Sequence, residues 1–109
     1  MSGTATDRVI FKGRLGTAGF WRGINLLSVN NTINYATVRD AGNSKFDGAD
    51  NGAKAGITIG GGFQTQTSSI ALGNSIVTTS GYGVYKHTDG NFTDNGGNDL
   101  SGNTTAKNF

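Results

Sequence analysis

The chain has 109 residues, which suffices for a single domain with a modest core. Only 34% of the residues are hydrophobic and 15% are charged, 19 are glycine, and cysteine, proline and glutamate do not occur. The lack of cysteine excludes disulfides, thiol catalysis and cysteine-ligated zinc, and the scattered charges, at net +2, argue against a nucleic-acid-binding surface.

Short β-strands joined by tight turns are predicted along the whole sequence. Glycine and asparagine adopt positive φ at little steric cost, so they suit sharp corners between strands. No stretch carries apolar residues at helical spacing. In chain order, strands are predicted over residues 8–13, 22–26, 32–38, 55–59, 69–72, 75–77, 82–86, 91–93 and 98–100.

Three of these strands form an internal repeat. Each has a glycine in second place, followed by a β-branched apolar residue, and they span residues 22–26, 55–59 and 82–86. A repeat that buries its inward residues only against its neighbours gains a core by stacking. We therefore predict that Ile24, Ile57 and Val84 form one apolar column, with the three strands parallel.

Antiparallel hairpins are the alternative arrangement for such short strands. Hairpins favour two-residue Asn-Gly or Asp-Gly turns placed directly between paired strands. Asp47-Gly48, Asn51-Gly52 and Asp89-Gly90 mostly lie inside longer polar stretches instead. The repeat favours a β-solenoid of about three to four rungs, and a β-sandwich or barrel is the alternative.

A family resemblance adds to this interpretation. Residues 21–24, 31–38, 73–76 and 80–84 resemble the right-handed parallel β-helix repeats of bacterial secreted and surface proteins in the pectate-lyase-like superfamily. Residues 96–103 are similar to the Gly-Asn-rich rung ends of that group. The resemblance implies an all-β, short right-handed parallel β-helix over residues 1–109, as one domain or a fragment of a longer β-helix.

The same resemblance implies an extracellular or cell-surface location. Residues 1–7 lack the basic and apolar regions of a signal peptide, and no apolar run reaches membrane-spanning length. A stack of so few rungs leaves open strand edges at both ends, which favour pairing with another chain. We therefore expect a homo-oligomer, formed through its ends or edges.

One candidate ligand site lies in the polar stretch 43–54, which lengthens the first repeat interval. Asp47, Asp50 and Asn51 there offer oxygen ligands of the kind that Ca²⁺ prefers. Their spacing lacks the regular pattern and closing glutamate of an EF-hand. A solvated turn without any cofactor is the alternative, and the sequence favours it.

Aromatic residues beside the repeated glycines form a second candidate site. If Trp21, Tyr82 and Tyr85 face outward, they form a surface on which a carbohydrate stacks. If they face inward, they close the end of the core. For Trp21 we favour packing.

Catalytic groups of the β-helix enzymes have weak counterparts in this chain. Polysaccharide lyases and hydrolases of that fold use grouped acids or a basic residue. Arg39 and Asp40 are adjacent, so they point to opposite faces if the strand continues through them, and a surface strand end is the favoured interpretation. His87 is the only histidine and is predicted to be an exposed turn residue; the acids around Gly96-Gly97 are also assigned to a turn.

The sequence thus favours a non-catalytic structural or binding module, with weak carbohydrate binding or self-assembly as its role. The alternative is a remnant of a polysaccharide lyase or hydrolase of the β-helix type. The two differ in whether the chain cleaves polysaccharides or only binds them.

Overall fold

A computed structural model describes residues 1–44, 54–61 and 67–109 of the chain. Within these ranges the chain forms ten β-strands and no helix. The described residues therefore contain no helix that could span a membrane. The strands are β1 (Val9–Phe11), β2 (Ile24–Leu26), β3 (Asn31–Asn34), β4 (Ala36–Arg39), β5 (Ala55–Ile59), β6 (Ser68–Gly73), β7 (Ile76–Thr78), β8 (Tyr82–Lys86), β9 (Gly90–Asp94) and β10 (Thr105–Lys107).

The strands form three parallel sheets, and successive strands along the chain belong to different sheets. The sheets have the orders β1-β4-β7, β2-β5-β8-β10 and β3-β6-β9. All of the strand pairs are parallel, so the antiparallel hairpin alternative is wrong for the described residues. The fold is therefore all-β and built from parallel sheets, as the repeat predicts.

The register confirms the predicted apolar column. Ile24 lies opposite Ile57, and Ile57 lies opposite Val84. Ile57 and Val84 are fully buried, while Ile24 is partly buried and packs against the core. Burial of a branched aliphatic side chain contributes about 1.5–3 kcal/mol, so this column is a main source of stability.

A second column runs through the sheet that starts with β1. Phe11 lies opposite Val38, and Val38 lies opposite Val77. Asp99 bridges Ile76, which brings Leu100 next to Val77. Leu100 and Phe11 both pack against the buried core, so the column extends to both ends of the sheet.

Two corners divide strands at residues with positive φ. The predicted strand 32–38 is split at Tyr35, where φ is 51°, whereas the break at Asn74, where φ is 48°, falls between the separately predicted strands 69–72 and 75–77. The two corners stack, because the Tyr35 N–H donates to the carbonyl of Gly73 at 3.2 Å. The Ala36 N–H donates to the Ser75 hydroxyl at 3.1 Å. These bonds satisfy backbone groups that the turn leaves unpaired.

Asparagine side chains take the place of strand pairing near residue 100. The predicted strand 98–100 is wrong except for one bridge at Asp99, and β10 was not predicted. Asn98, Asn103 and Asn108 each accept from a backbone N–H of the preceding segment, at 3.0, 3.0 and 2.7 Å. Their amide groups also donate to backbone carbonyls, at 2.8, 2.6 and 3.0 Å. We call these three residues the asparagine brackets.

The stack of strands has two different ends. The β1 end consists of the outer edges of β1, β2 and β3, and residues 1–3 pair with part of the β3 edge. The β10 end consists of β9, β10 and residues 98–100. Both ends expose backbone groups that no strand among the described residues pairs along the whole edge.

Candidate functional site

A depression at the β1 end is lined by several large apolar side chains. Its volume is about 450 Å³. Its floor consists of the end residues of the core columns, beyond which the described residues form no further strand. The apolar lining residues are Met1, Phe11, Ile24, Leu26 and Ile33, and residues 30–32 complete the wall.

Exposed apolar side chains are concentrated around this end. Seven large hydrophobic side chains of the described residues are exposed, and six of them lie within residues 1–29. They are Met1, Ile10, Leu15, Phe20, Leu27 and Val29, and the seventh is Phe109. Such a concentration in so small a protein is typical of an interaction surface.

Phe109 is the apolar feature of the β10 end. Its ring packs on Phe92 with 5.2 Å between centroids, yet 48% of the residue stays exposed. The ammonium groups of Lys86 and Lys107 lie 5.5 and 5.2 Å from its ring centroid. Asn108, the last asparagine bracket, holds this segment by bonds to the backbone of Lys86. Phe109 is thus fixed in place while part of its ring faces solvent.

The aromatic candidates fall into two separate groups. The indole N–H of Trp21 donates to the Arg39 carbonyl at 2.8 Å, and its ring stacks on Phe11 at 6.4 Å. Tyr82 and Tyr85 contact each other edge to face at 5.4 Å on β8. Trp21 pairs with Ala41 rather than with a residue of β8. Trp21 therefore packs on the core, and the two tyrosines form their own half-exposed pair.

Arg39 and Asp40 form a structural ion pair. The strand does not continue through both residues, because β4 ends at Arg39 and Asp40 turns the chain with a φ of 64°. The predicted surface position is wrong for Asp40, whose side chain is buried. The Arg39 Nε lies 3.1 Å from Asp40 Oδ2. Thr79 donates to the other carboxylate oxygen at 3.0 Å. Through these two contacts, the buried carboxylate of Asp40 stabilises the turn that follows β4.

His87 is buried, contrary to its predicted exposed position. Only 7% of its surface is exposed, and its ring packs edge to face on Tyr85 at 5.2 Å. Its Nε2 atom and both carboxylate oxygens of Asp89 are buried without a hydrogen-bond partner among the described residues. In the part of the chain that the structure describes, no three His, Asp, Glu or Cys residues are grouped to hold a metal. Asp47, Asp50 and Asn51 lie outside the described residues.

The acidic residues near Gly96-Gly97 organise turns, as predicted. Asp94 accepts from the Gly96 N–H and the Asn98 amide, and these bonds lower the pKa of its carboxyl group. The Ser101 hydroxyl and then the Ser101 N–H lower the pKa of Asp99 in the same way. Both carboxylates are therefore charged at neutral pH, at the β10 end.

Comparison with known proteins gives no relative: no family model, curated protein or solved structure matches the chain. Function must therefore be inferred from the two ends and the tyrosine pair. Sequence analysis missed Phe11, Leu26 and Phe109 as site residues. For the β10 end a signal existed, since the three brackets recur at intervals of five residues.

Proposed function

We propose that this chain is a non-catalytic structural module, a short right-handed β-solenoid that assembles with further copies through its ends. Support for the solenoid comes from the three parallel sheets, which the chain visits in turn, and from columns such as Ile24, Ile57 and Val84. A secreted or surface location belongs to the same proposal, because the resemblance is to such proteins.

The exposed apolar β1 end carries this proposal. Phe11, Ile24 and Leu26 belong to the core, yet they line an open depression and are only partly buried. Free edges of β1 and β2 border the depression. An open parallel edge beside uncovered core residues is a surface that a further strand pair would cover.

An enzymatic role has less support. Asp40, one of the two residues compared with the catalytic groups of β-helix enzymes, is already bound by Arg39 and Thr79. A general acid or base must reach a substrate proton, whereas Asp40 is fully buried in a corner. Its surroundings favour a structural role, and the alternative of a polysaccharide-degrading remnant rests on the resemblance.

Light scattering of the full chain across the micromolar range tests assembly. The expected result is an average mass that rises with concentration above the 11.2 kDa of the monomer. Leu27→Lys places a charge on an exposed apolar residue of the β1 end and should lower that mass. Thr67→Lys, at an exposed position directly before the central strand β6 and away from both ends, is the matched control and should not. A monomer at every concentration would contradict the proposal.

Carbohydrate binding is a second candidate function, which the tyrosine pair favours. Tyr82 and Tyr85 are partly exposed on β8, and aromatic rings pair with the apolar faces of sugars. A glycan array tests it, with Tyr82→Ala expected to lose binding and Phe20→Ala to keep it. Cleavage of pectin or alginate by the purified chain would instead support the enzyme alternative.

A further inference from the structure

We infer that the copies join head to tail, so that the β10 end of one copy covers the β1 end of the next and Phe109 enters its apolar depression. This inference rests on the proposed function and adds the polarity of the junction. The partner is therefore a second copy of this chain, presented by its opposite end.

Continuing the existing register places Phe109 at the depression. In the sheet β2-β5-β8-β10, Lys107 lies opposite Val84 and so continues the column of Ile24 and Ile57. If that column continues across the junction, Lys107 of one copy faces Ile24 of the next. Phe109, two residues further on, then faces Leu26, which lines the depression.

The sheet that begins with β1 gives a second match. Leu100 follows Val77 in the column that starts at Phe11, so continuation brings Leu100 of one copy against Phe11 of the next. Phe11 lines the same depression as Leu26. The two sheets thus bring Phe109 and Leu100 of the β10 end to one depression, together with Lys107 opposite Ile24.

Charge is matched in the same sheet. Asp99 lies in the outer column of Ile76, Thr37 and Ile10, so it would face Ile10 of the next copy. Lys12, on the same face two residues beyond Ile10, then lies within reach of Asp99 as a diagonal neighbour. Ile10 is 59% exposed, so this face is accessible.

The opposite polarity, with two β1 ends in contact, is disfavoured by charge. Residues 1–29 contain four basic side chains and one acidic side chain. Lys12, Arg14 and Arg22 are all exposed. Two β1 ends would bring these like charges together, and like charges that face each other across an interface cost affinity.

The junction uses the edges of β1 and β2 rather than that of β3. Residues 1–3 already occupy part of the β3 edge: Ser2 bridges Asn34, and the Gly3 N–H donates to the Asn34 carbonyl at 2.9 Å. Head-to-tail contact between non-equivalent surfaces does not close on itself unless the rotation between copies forms a ring. Assembly is therefore expected to continue beyond the dimer.

Mixing two blocked variants tests the polarity. Ile10→Asp/Lys12→Asp blocks the β1 end, and Phe109→Asp blocks the β10 end; each should weaken self-association at least about tenfold. Mixed together, they should form a one-to-one dimer of twice 11.2 kDa and nothing larger, because one intact junction remains. Phe109→Leu and Lys12→Arg preserve the chemistry of each end and should assemble like the wild type.

Cross-linking gives an independent measurement, since the chain contains no cysteine. Lys12→Cys and Ser101→Cys, which lie two residues beyond Ile10 and Asp99, should form disulfide dimers when mixed and oxidised, but not separately. Cross-linking of Lys12→Cys with itself, or undiminished assembly of Phe109→Asp, would overturn the head-to-tail inference while leaving self-assembly intact. A wild-type chain that never associates would overturn the proposed function as well.

Discussion

Asp40 and Thr79 lie one above the other where two corners of the chain stack, and the two residues form hydrogen bonds with each other. The Asp40 N–H donates to the Thr79 hydroxyl at 2.8 Å, and that hydroxyl is 3.0 Å from the Asp40 carboxylate. Both residues have positive φ, at 64° and 55°. Threonine rarely adopts this conformation, so the hydrogen bonds hold the corner against its intrinsic preference.

Thr79→Val tests the corner. Valine has nearly the same shape and the same β-branching, so the backbone strain is held constant while the hydroxyl is removed. The Asp40 N–H then loses its acceptor in a buried position, and we expect the free energy of unfolding to fall by about 1–3 kcal/mol. Thr78→Val is the matched control, because its hydroxyl makes only an exposed 3.3 Å bond to Gly102. Chemical denaturation measures both, and equal losses would contradict the structural role of the pair.

Ile57 and Val84 test the shared apolar column. Ile57→Ala should lower the free energy of unfolding by about 2–5 kcal/mol, because the side chain is fully buried between two strands. In a double-mutant cycle, Ile57→Val and Val84→Ala should couple by at least about 0.5 kcal/mol, since the residues are directly opposed. The same cycle with Ile10→Ala, on a different sheet, should be additive. Additivity of Ile57 with Val84 would argue against direct packing.

Asn103 tests the asparagine brackets. Its amide accepts from the Ser80 N–H and donates to the carbonyls of Val77 and Leu100. Asn103→Ala removes the hydrogen-bond partner of these backbone groups. We expect the free energy of unfolding, measured by thermal or urea unfolding, to fall by about 1–3 kcal/mol. Asn91→Ala, at an exposed strand position, should change stability by less than about 0.5 kcal/mol. A neutral Asn103→Ala would show that water replaces the bracket at no cost.

Asp99 predicts a pH dependence of stability. Hydrogen bonds from Ser101 lower the pKa of Asp99 below its ordinary value of 3.8 in the folded chain. A group with a lowered folded pKa contributes stability above the unfolded value, and that contribution disappears as the pH falls through the folded pKa. Asp99→Asn should therefore be less stable than the wild type at neutral pH, with the difference shrinking below about pH 4.

Ser101→Ala provides the control for this effect. It keeps the carboxyl group but removes the hydroxyl that contributes most to the pKa shift. Its pH profile, measured by urea unfolding at a series of pH values, should lie between those of the wild type and Asp99→Asn. A difference between wild type and Asp99→Asn that grows at low pH would have the wrong sign for a carboxyl group whose pKa is lowered by folding.

The tertiary structure decided the corners and the burial of polar groups. Tyr35 and Thr79 give no local turn signal, because neither an aromatic nor a β-branched residue favours positive φ. Their conformations are maintained by bonds to residues about forty positions away, such as the one between Thr79 and Asp40. The burial of His87 was not predicted for the same reason, because it results from the stacking of strands and not from the local sequence.

The amino-acid pattern alone predicts an all-β chain, most strand positions and the parallel column of Ile24, Ile57 and Val84. It does so because an apolar residue at a fixed place in a repeat can be buried only by its equivalent in the next repeat. The difference between the two ends required the tertiary structure. Whether Leu26 or Phe109 is covered depends on which strand lies last in its sheet, and no local pattern contains that order.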